Sequence, residues 1–590
     1  MKIKINRNIL WAETFVKELA SLGVKYASIS PGSRNTPLTL AFAGNKNIKT
    51  YVNIDERSSA FFALGLAKAT ATPVAVVVTS GTATAELYPA IIEAYQQRIP
   101  LIICTADRPP ELLNKGANQT INQNNIYKNH IRWFKNVGLP EPTIKKLKAL
   151  KQDAIDSVII STIKSRGPVH LNFPFKKPFE PKFTTDSVNE KIISFSTTNS
   201  TLRSSSSVKN LPDKNSIKFI DRIFNLVKEK EKGLIIVGPD DYDSKFLKNC
   251  QILSAKLNYP ILADGASQLR FGKHDKKNVI TNFDAILRSE NFTQKNHPEV
   301  IIQFGRTITS KGLDAFLDKC NAARFMINEY GDWFDPSDKS IASIACKPYL
   351  FCYELIKRID KEIVIRNSTA WFSNFIDAEI ISNNLKKNII EKSSFPNECR
   401  LVTEIINNVP ENCRIMLSNS MPIRDFDYFA QNNNKNIVVF NNRGASGIDG
   451  ITSTALGIAE ASKKASLLIT GDLAFYYDMN GLLAAMRYKI PLVVVLINNN
   501  GGGIFEILPI SEYGNVFKKY FVSPHSLDFS TFIKGYGGHY IKVKSWKHFN
   551  FALKEAFGLK NFTVLELKTK SSNSLKLRKK FWKEVSKSLK

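Results

Sequence analysis

With 590 residues, 43% of them hydrophobic, the chain is too long for one core and has apolar side chains enough for about three or four domains. No apolar run approaches the roughly 20 residues of a membrane span. The seven scattered cysteines, without a CxxC, point to reduced thiols in a cytoplasmic protein and away from a disulfide frame or zinc site. The net charge of +29 raises nucleic acid or an anionic membrane as partners. The lysines, however, are spread along the whole chain and interleaved with Asn and Glu, with no zinc finger, RNA-binding aromatic motif or basic region, so no nucleic-acid role is expected.

The chain opens on an amphipathic helix with Trp11, Phe15 and Leu19 on one face, lacking the apolar centre of a signal peptide. Residues 26–30 form a short strand ending in a Pro31-Gly32 turn, and Pro37 suits the first turn of the next helix. Ser33 and Arg34 then sit at a strand's carboxyl end, where Arg34 either pairs with a carboxylate or is a solvated residue of a capping loop. Residues 50–54 form a second strand leading into Asp55-Glu56-Arg57 and a small-residue helix. Glu56 is either a carboxylate whose pKa burial raises or a helix N-terminal acid favoured by the macrodipole. Residues 73–79 and 101–105 are buried-type strands, ending in Ser80-Gly81-Thr82 and Asp107-Arg108-Pro109. An amide-rich loop at 116–123 contains Gln119, and 169–173 closes the unit as its last strand.

Residues 181–212, rich in Ser and Thr, read as a linker. A smaller α/β unit follows, with strands at 233–238, 261–263, 300–304 and 324–328. It lacks a G-x-G-x-x-G after its first strand, so neither FAD nor NAD is expected. Lys311 falls in a strand-end loop, and residues 367–395 read as a second linker. The last third has strand-end loops at 418–424, carrying Ser420 and Arg424, and at 443–448, carrying Arg443 and Ile448. The stretch 467–508 then reads as strand, turn, helix, strand and Gly-rich turn. Asp472 and Asn499 end its two strands, 27 residues apart, a fitting length for a helical crossover. Both therefore reach the sheet edge at which open α/β sheets bind ligands. A carboxylate, an amide oxygen and a glycine carbonyl suit a hard divalent cation, and glycines allow close approach of backbone N–H groups to a diphosphate. The other reading is a plain parallel-sheet unit with a Gly-rich loop. The basic tail, with Leu577, Phe581, Trp582 and Val585 on one face, either docks on the third domain with its lysines solvated or lies on a membrane surface.

The two strand-end halves at Asp472 and Asn499 together resemble the diphosphate-anchoring motif of thiamine diphosphate (ThDP) enzymes. SPGSRNTPL (30–38), DERSSAFFALGLAKA (55–69), TSGTATAELYPAIIEA (79–94), TADRPPEL (105–112) and GANQTINQ (116–123) resemble the successive blocks of one family among them. That family is the 2-succinyl-5-enolpyruvyl-6-hydroxy-3-cyclohexene-1-carboxylate synthases of menaquinone biosynthesis. SNSMPIRDFD (418–427), NRGASGIDGITSTALG (442–457) and NNNGGGIFEILP (498–509) match it as well. The resemblance implies an α/β fold of three doubly wound parallel-sheet domains of the ThDP-enzyme type. These would be a pyrimidine-binding domain at 1–182, a central α/β domain at 212–366, a diphosphate-binding domain at 395–570 and a basic C-terminal helix at 571–590.

The implied activity is decarboxylation of 2-oxoglutarate and addition of the succinyl semialdehyde carbanion to isochorismate. The alternatives are another ThDP-dependent 2-oxoacid decarboxylase or an acetolactate-type synthase, against which several converging arginines and the missing dinucleotide fingerprint argue. By resemblance, Asp472, Asn499 and the Gly501 carbonyl hold Mg²⁺, or Mn²⁺ in its place, and through it the cofactor diphosphate. Ile448 props the bent cofactor, a task for a stiff β-branched side chain, and Glu56 is the catalytic acid that meets its aminopyrimidine. Arg34, Arg108, Arg424, Arg443 and Lys311 face substrate carboxylates, Ser33, Gln119 and Ser420 add hydrogen bonds, and Ile504, Phe505 and Leu508 form an apolar wall. The family often carries a Lys-Arg pair at the Lys311 position, where this chain has Lys311-Gly312, leaving the charge to Lys311 or Arg306. His525 is expected to be structural. A homodimer, or a homotetramer, is implied, with Glu56 and the Ser33-Arg34 loop facing the diphosphate clamp of another subunit.

Overall fold

Three runs of β-branched residues set the strands at the centre of three sheets: Val74–Val78, Val300–Phe304 and Val493–Asn498, each buried along its whole length, as parallel strands covered on both faces are. The computed structural model describes residues 2–198, 214–362 and 369–589. Among them, the three sheets each have six strands, all parallel. The α/β expectation of three doubly wound domains holds.

The first sheet runs Lys49–Val52, Tyr26–Ile29, Val74–Val78, Leu101–Asp107, Val169–Pro174, Trp133–Asn136. The third repeats that order with Val438–Asn441, Arg414–Leu417, Ser466–Gly471, Val493–Asn498, Thr563–Lys568, His539–Lys542. In chain order both are 2-1-3-4-6-5. The central sheet is instead 3-2-1-4-5-6, the order of dinucleotide-binding folds, from Val279–Ile280 through Gly233–Val237 to Ala342–Ala345. The strand read as closing the first unit, 169–173, is therefore not its edge. The half-buried Trp133–Asn136 pairs outside it, and its Lys and Asn hide the apolar alternation that marks a strand.

Alternation along each central strand divides the cores. Val74, Val76 and Val78 enter one cluster and Ala75 and Val77 another. In the third sheet, Val493 and Val495 join a core shared with the central domain, while Val494 and Leu496 join one shared with the first. The helices Glu56–Thr70 and Ile451–Ser462 form the seam between first and third domains. A Cβ on Gly65 would lie 2.1 Å from the Thr454 carbonyl oxygen, and one on Gly457 2.2 Å from that of Phe62. Only glycines allow that approach.

Both segments read as linkers are folded where described. Asp186–Asn189 pairs antiparallel with Lys2–Ile5, and Glu190–Thr197 is a helix; residues 199–212 of that reading lie outside the described residues. In the second, Ala370–Lys386 is a helix with Trp371 and Phe375 in the core, and residues 367 and 368 lie outside the described residues. Its weak amphipathicity reflects contacts on several sides, which erases the periodicity that marks a surface helix. The tail forms the helix Ser571–Ser588, docked with Phe581 and Val585 buried and Leu577 and Trp582 half-buried. It touches the central as well as the third domain: Ser289 Oγ donates to the Ser586 carbonyl, and Arg288 stacks on Trp582. No apolar face remains for a membrane surface. Among the described residues no helix is long and apolar enough to cross a membrane.

Candidate active site

In the third domain the chain reverses direction across the sheet between Arg414–Leu417 and Ser466–Gly471, and the loops after these strands open a cleft of about 380 Å³. Asn419, Ser420, Arg424, Arg443, Ile448, Asp472, Asn499, Gly501, Ile504 and Phe505 line it. The structure thus brings together most of the residues that the sequence assigns to this half.

Asp472 is buried. Its Oδ1 accepts from the Leu473 N–H at 2.8 Å and its Oδ2 from the Gly501 N–H at 2.9 Å. Loss of water raises its pKa, against which these hydrogen bonds and nearby His525 act. The hydrogen bond to Gly501 ties the ends of two strands together. Asn499 Oδ1 is buried without a hydrogen-bond partner. A carboxylate and an orphaned amide oxygen beside a glycine carbonyl are the donor set of a hard divalent cation, and the residues fit one.

The glycines also have a packing role. A Cβ on Gly501, whose φ is +137°, would lie 2.1 Å from the Val522 carbonyl oxygen, and that oxygen accepts from the Gly502 N–H at 2.7 Å. The glycines let the segment around Val522 close over the turn, and Asn500 Oδ1 staples that segment by accepting from the N–H groups of His525 and Ser526. His525, expected to be structural, consequently stands with Nε2 3.2 Å from Asp472 Oδ2. No local motif marks it; the loop closure alone brings it there.

Ser420 has a φ of +75°, and its carbonyl accepts from Arg424 Nη1 at 2.6 Å. Arg443 reaches Asn419 Oδ1 and Thr309 Oγ1 of the central domain. Burial lowers the pKa of both arginines, and Arg424 lowers that of Arg443 further. Two desolvated guanidiniums facing one cleft make a site for anions. Glu93, buried in a helix of the first domain, pins the loop after Arg443 by accepting from the Gly444 and Ala445 N–H groups at 2.9 and 2.7 Å. No local signal in the sequence marks it, since a Glu within a helix reads as solvated surface.

Three of the expected residues stand apart from this cleft. Leu508 is half-buried but does not line the cleft. Lys311 is exposed as the first residue of the helix Lys311–Lys319, two residues beyond Thr309, and does not line it either. Arg306 turns elsewhere: its Nη1 donates to the Gln96 carbonyl and it stacks on Phe334. Gly312 has a packing reason. A Cβ there would lie 2.4 Å from the Asp284 carbonyl oxygen, so an arginine does not fit at this position.

The first domain carries a second group at the same point of its sheet. Gly32 approaches Thr79 across the reversal of strand order, bringing the Ser33-Arg34 and Ser80-Gly81 loops together. Arg34 Nη1 donates to the Phe175 carbonyl at 2.7 Å and its guanidinium stacks on Phe179. Burial, then repulsion from Arg108, lowers its pKa to about 10. Arg108 donates to Ser80 Oγ, whose hydroxyl donates to the Gln119 carbonyl. Beneath them Gln123, Asn172 and Asp107 form a buried chain of amide and carboxylate hydrogen bonds. Ser33 and the Gln119 side chain are exposed. Glu56 starts its helix, and burial, reinforced by Asp55 and Glu86, raises its pKa. Glu56, Arg34 and Arg108 do not line the third-domain cleft of their own chain.

Two outer sheets of one topology, a cleft lined by Asp472, Asn499 and two arginines on one and a half-buried acid on the other, match the frame of a thiamine diphosphate enzyme. The comparisons agree: the N-terminal TPP binding domain of thiamine pyrophosphate enzymes matches residues 11–126, the middle domain of thiamine pyrophosphate 208–417 and the C-terminal TPP binding domain 426–567. The benzoylformate decarboxylase from Polynucleobacter necessarius shares the fold, with a TM-score of 0.68 over 95% of this chain and 98% of that one at 16% identity. Curated 2-succinyl-5-enolpyruvyl-6-hydroxy-3-cyclohexene-1-carboxylate synthases are far more similar in sequence. That of Roseiflexus castenholzii is 39% identical over 97% of both chains, that of Bacillus cytotoxicus 37% over 96% of this chain and 95% of its own, and that of Haloquadratum walsbyi 36% over 98% of both. The chain belongs to this synthase family, a ThDP-dependent transferase family of menaquinone biosynthesis.

Proposed function

We propose that the protein, in the cytoplasm, decarboxylates 2-oxoglutarate and joins the resulting succinyl semialdehyde carbanion to isochorismate, with ThDP held through Mg²⁺ or Mn²⁺. The observation that carries the choice of substrates is the pair Arg424 and Arg443, half-buried and lining one cleft, because both substrates are dicarboxylates. The cofactor, when bound, supplies an electron sink for the carbanion left by decarboxylation. The chain's own residues supply the rest. Asp472 Oδ2, Asn499 Oδ1 and the Gly501 carbonyl would hold the cation. Ile448 would support the cofactor from the cleft wall, while Ile504 and Phe505 exclude water. Glu56, whose burial favours the protonated carboxyl, would hold a proton on its carboxyl oxygen for the pyrimidine ring. Arg34, Arg108, Arg424 and Arg443 would bind carboxylates, with Ser33, Gln119 and Ser420 adding hydrogen bonds and Lys311 charge at the rim.

Glu56 and the cation ligands lie in separate places in one chain, so the reading requires a second copy, in a homodimer or homotetramer, that brings its Glu56 to this cleft. With ThDP, Mg²⁺, 2-oxoglutarate and isochorismate, the protein should consume isochorismate and release CO₂ together. CO₂ release without loss of isochorismate would favour a simple 2-oxoacid decarboxylase.

A further inference from the structure

The C-terminal helix Ser571–Ser588 holds a fully buried arginine, Arg578, in a domain whose surface is crowded with lysines. Its Nε and Nη2 grip both oxygens of Asp425, at 2.7 and 2.5 Å, and Nη2 also donates to Glu398 Oε2 at 2.6 Å. Glu398 is 2% exposed and lines the cleft. Its other oxygen, Oε1, accepts from Thr569 Oγ1 at 2.9 Å and from Asn499 Nδ2 at 3.3 Å. Its own N–H donates to Ser574 Oγ of the same C-terminal helix.

A carboxylate only accepts hydrogen bonds, so it can face the amide nitrogen of Asn499 but repels the amide oxygen. With Nδ2 turned to Glu398, the oxygen Oδ1 is the atom left without a partner. We propose that Glu398, fixed by Arg578, is the positioning residue that sets the amide of Asn499 with its oxygen toward a divalent cation. The C-terminal helix thereby becomes part of the cation site without touching it. The same guanidinium anchors Asp425, next to Arg424, so one buried residue aligns a cation ligand and a carboxylate-binding arginine. This inference rests on the reading of Asn499 as a cation ligand.

Glu398→Gln tests it, since the new amide keeps the shape but can turn its NH₂ toward Asn499 and reverse the Asn499 amide. ThDP binding is followed by intrinsic tryptophan fluorescence while Mg²⁺ is titrated, alongside melting of the cofactor-free protein. Glu398→Gln should raise the Mg²⁺ concentration for half-saturation by about tenfold or more, the usual size of an effect exerted through a ligand's hydrogen-bond partner. Arg578→Lys, which loses the fork, should shift it in the same direction, and exposed Lys579→Ala on the same helix should not. If both buried variants melt lower but saturate at the wild-type Mg²⁺ concentration, the cluster only stabilises the fold and the inference is wrong. If wild-type ThDP binding needs no divalent cation, the cation reading itself fails, and this inference with it.

Discussion

The first and third sheets have one strand order, 2-1-3-4-6-5, and both gather functional side chains where that order reverses, yet the two edges are built differently. On the third sheet Asp472, Asn499, Arg424 and Arg443 line one cleft, and partial burial lowers the pKa of both arginines there. On the first sheet the corresponding loops are more open. Ser33 and Gln119 are exposed, and Arg34 already has a carbonyl and an aromatic ring for partners. The third sheet has the form of a receptor; the first has the form of a face that meets one. Shared topology fixes where chemistry collects, and the loop residues decide which part each domain plays.

The largest effect should come from Glu56 on the first sheet. Glu56→Gln should lower kcat by about 10²-fold or more, the range of a lost general acid or base, with ThDP affinity and circular dichroism little changed. A near-normal kcat would remove Glu56 from its role and leave the first sheet a scaffold.

The arginines should follow in a graded way. Arg424→Ala and Arg443→Ala should each raise KM for one of the dicarboxylate substrates by roughly tenfold or more, the loss of a charged hydrogen bond being about 1.5–3 kcal/mol. Arg34→Ala should cost less, because part of its guanidinium is already engaged. Equal losses at all three positions, measured by steady-state kinetics with each substrate varied, would erase the distinction drawn between the two edges.

The smallest effect is in stability. The folded pKa of Glu56 lies above its ordinary 4.5. The folded state therefore binds more protons there than the unfolded one, and stability from this group is present below pH 4.5 and lost as pH rises through the folded value. The cofactor-free Glu56→Gln protein should then melt slightly higher than wild type at pH 7, with the difference vanishing near pH 4. A difference of opposite sign would mean that the Glu56 carboxylate is stabilised by a partner in solution.

These residues also show what a sequence can disclose. Asp472, Asn499 and Arg443 were legible because each follows the end of a strand, where β-branched runs break and the chemistry is local; Arg424, expected in a strand-end loop, lies instead in the first turn of the helix Met421–Phe429 that follows its strand. Glu93, Glu398 and Arg578 were not legible. They lie in helices whose Glu and Arg look like solvated surface, and only tertiary contacts over 101 to 352 residues give them partners. The nearness of His525 to Asp472 was not legible, since it depends on a loop closing over Gly501. The folded stretches at 186–197 and 370–386 were missed for a related reason: helices packed on several sides, and a strand completing a two-stranded ribbon, show no clean period.

The central claim is that the two edges work together across two copies of the chain, and co-expression of two inactive variants tests it most directly. Glu56→Gln and Asp472→Asn, each carried by a differently tagged chain, should together form mixed dimers in which one of the two sites holds neither change. Random pairing should restore roughly a quarter of the wild-type rate of isochorismate consumption, as a symmetric dimer with shared sites requires. Activity no higher than that of either variant alone, in mixed dimers isolated through both tags, would contradict the account and place both halves of the site in one chain.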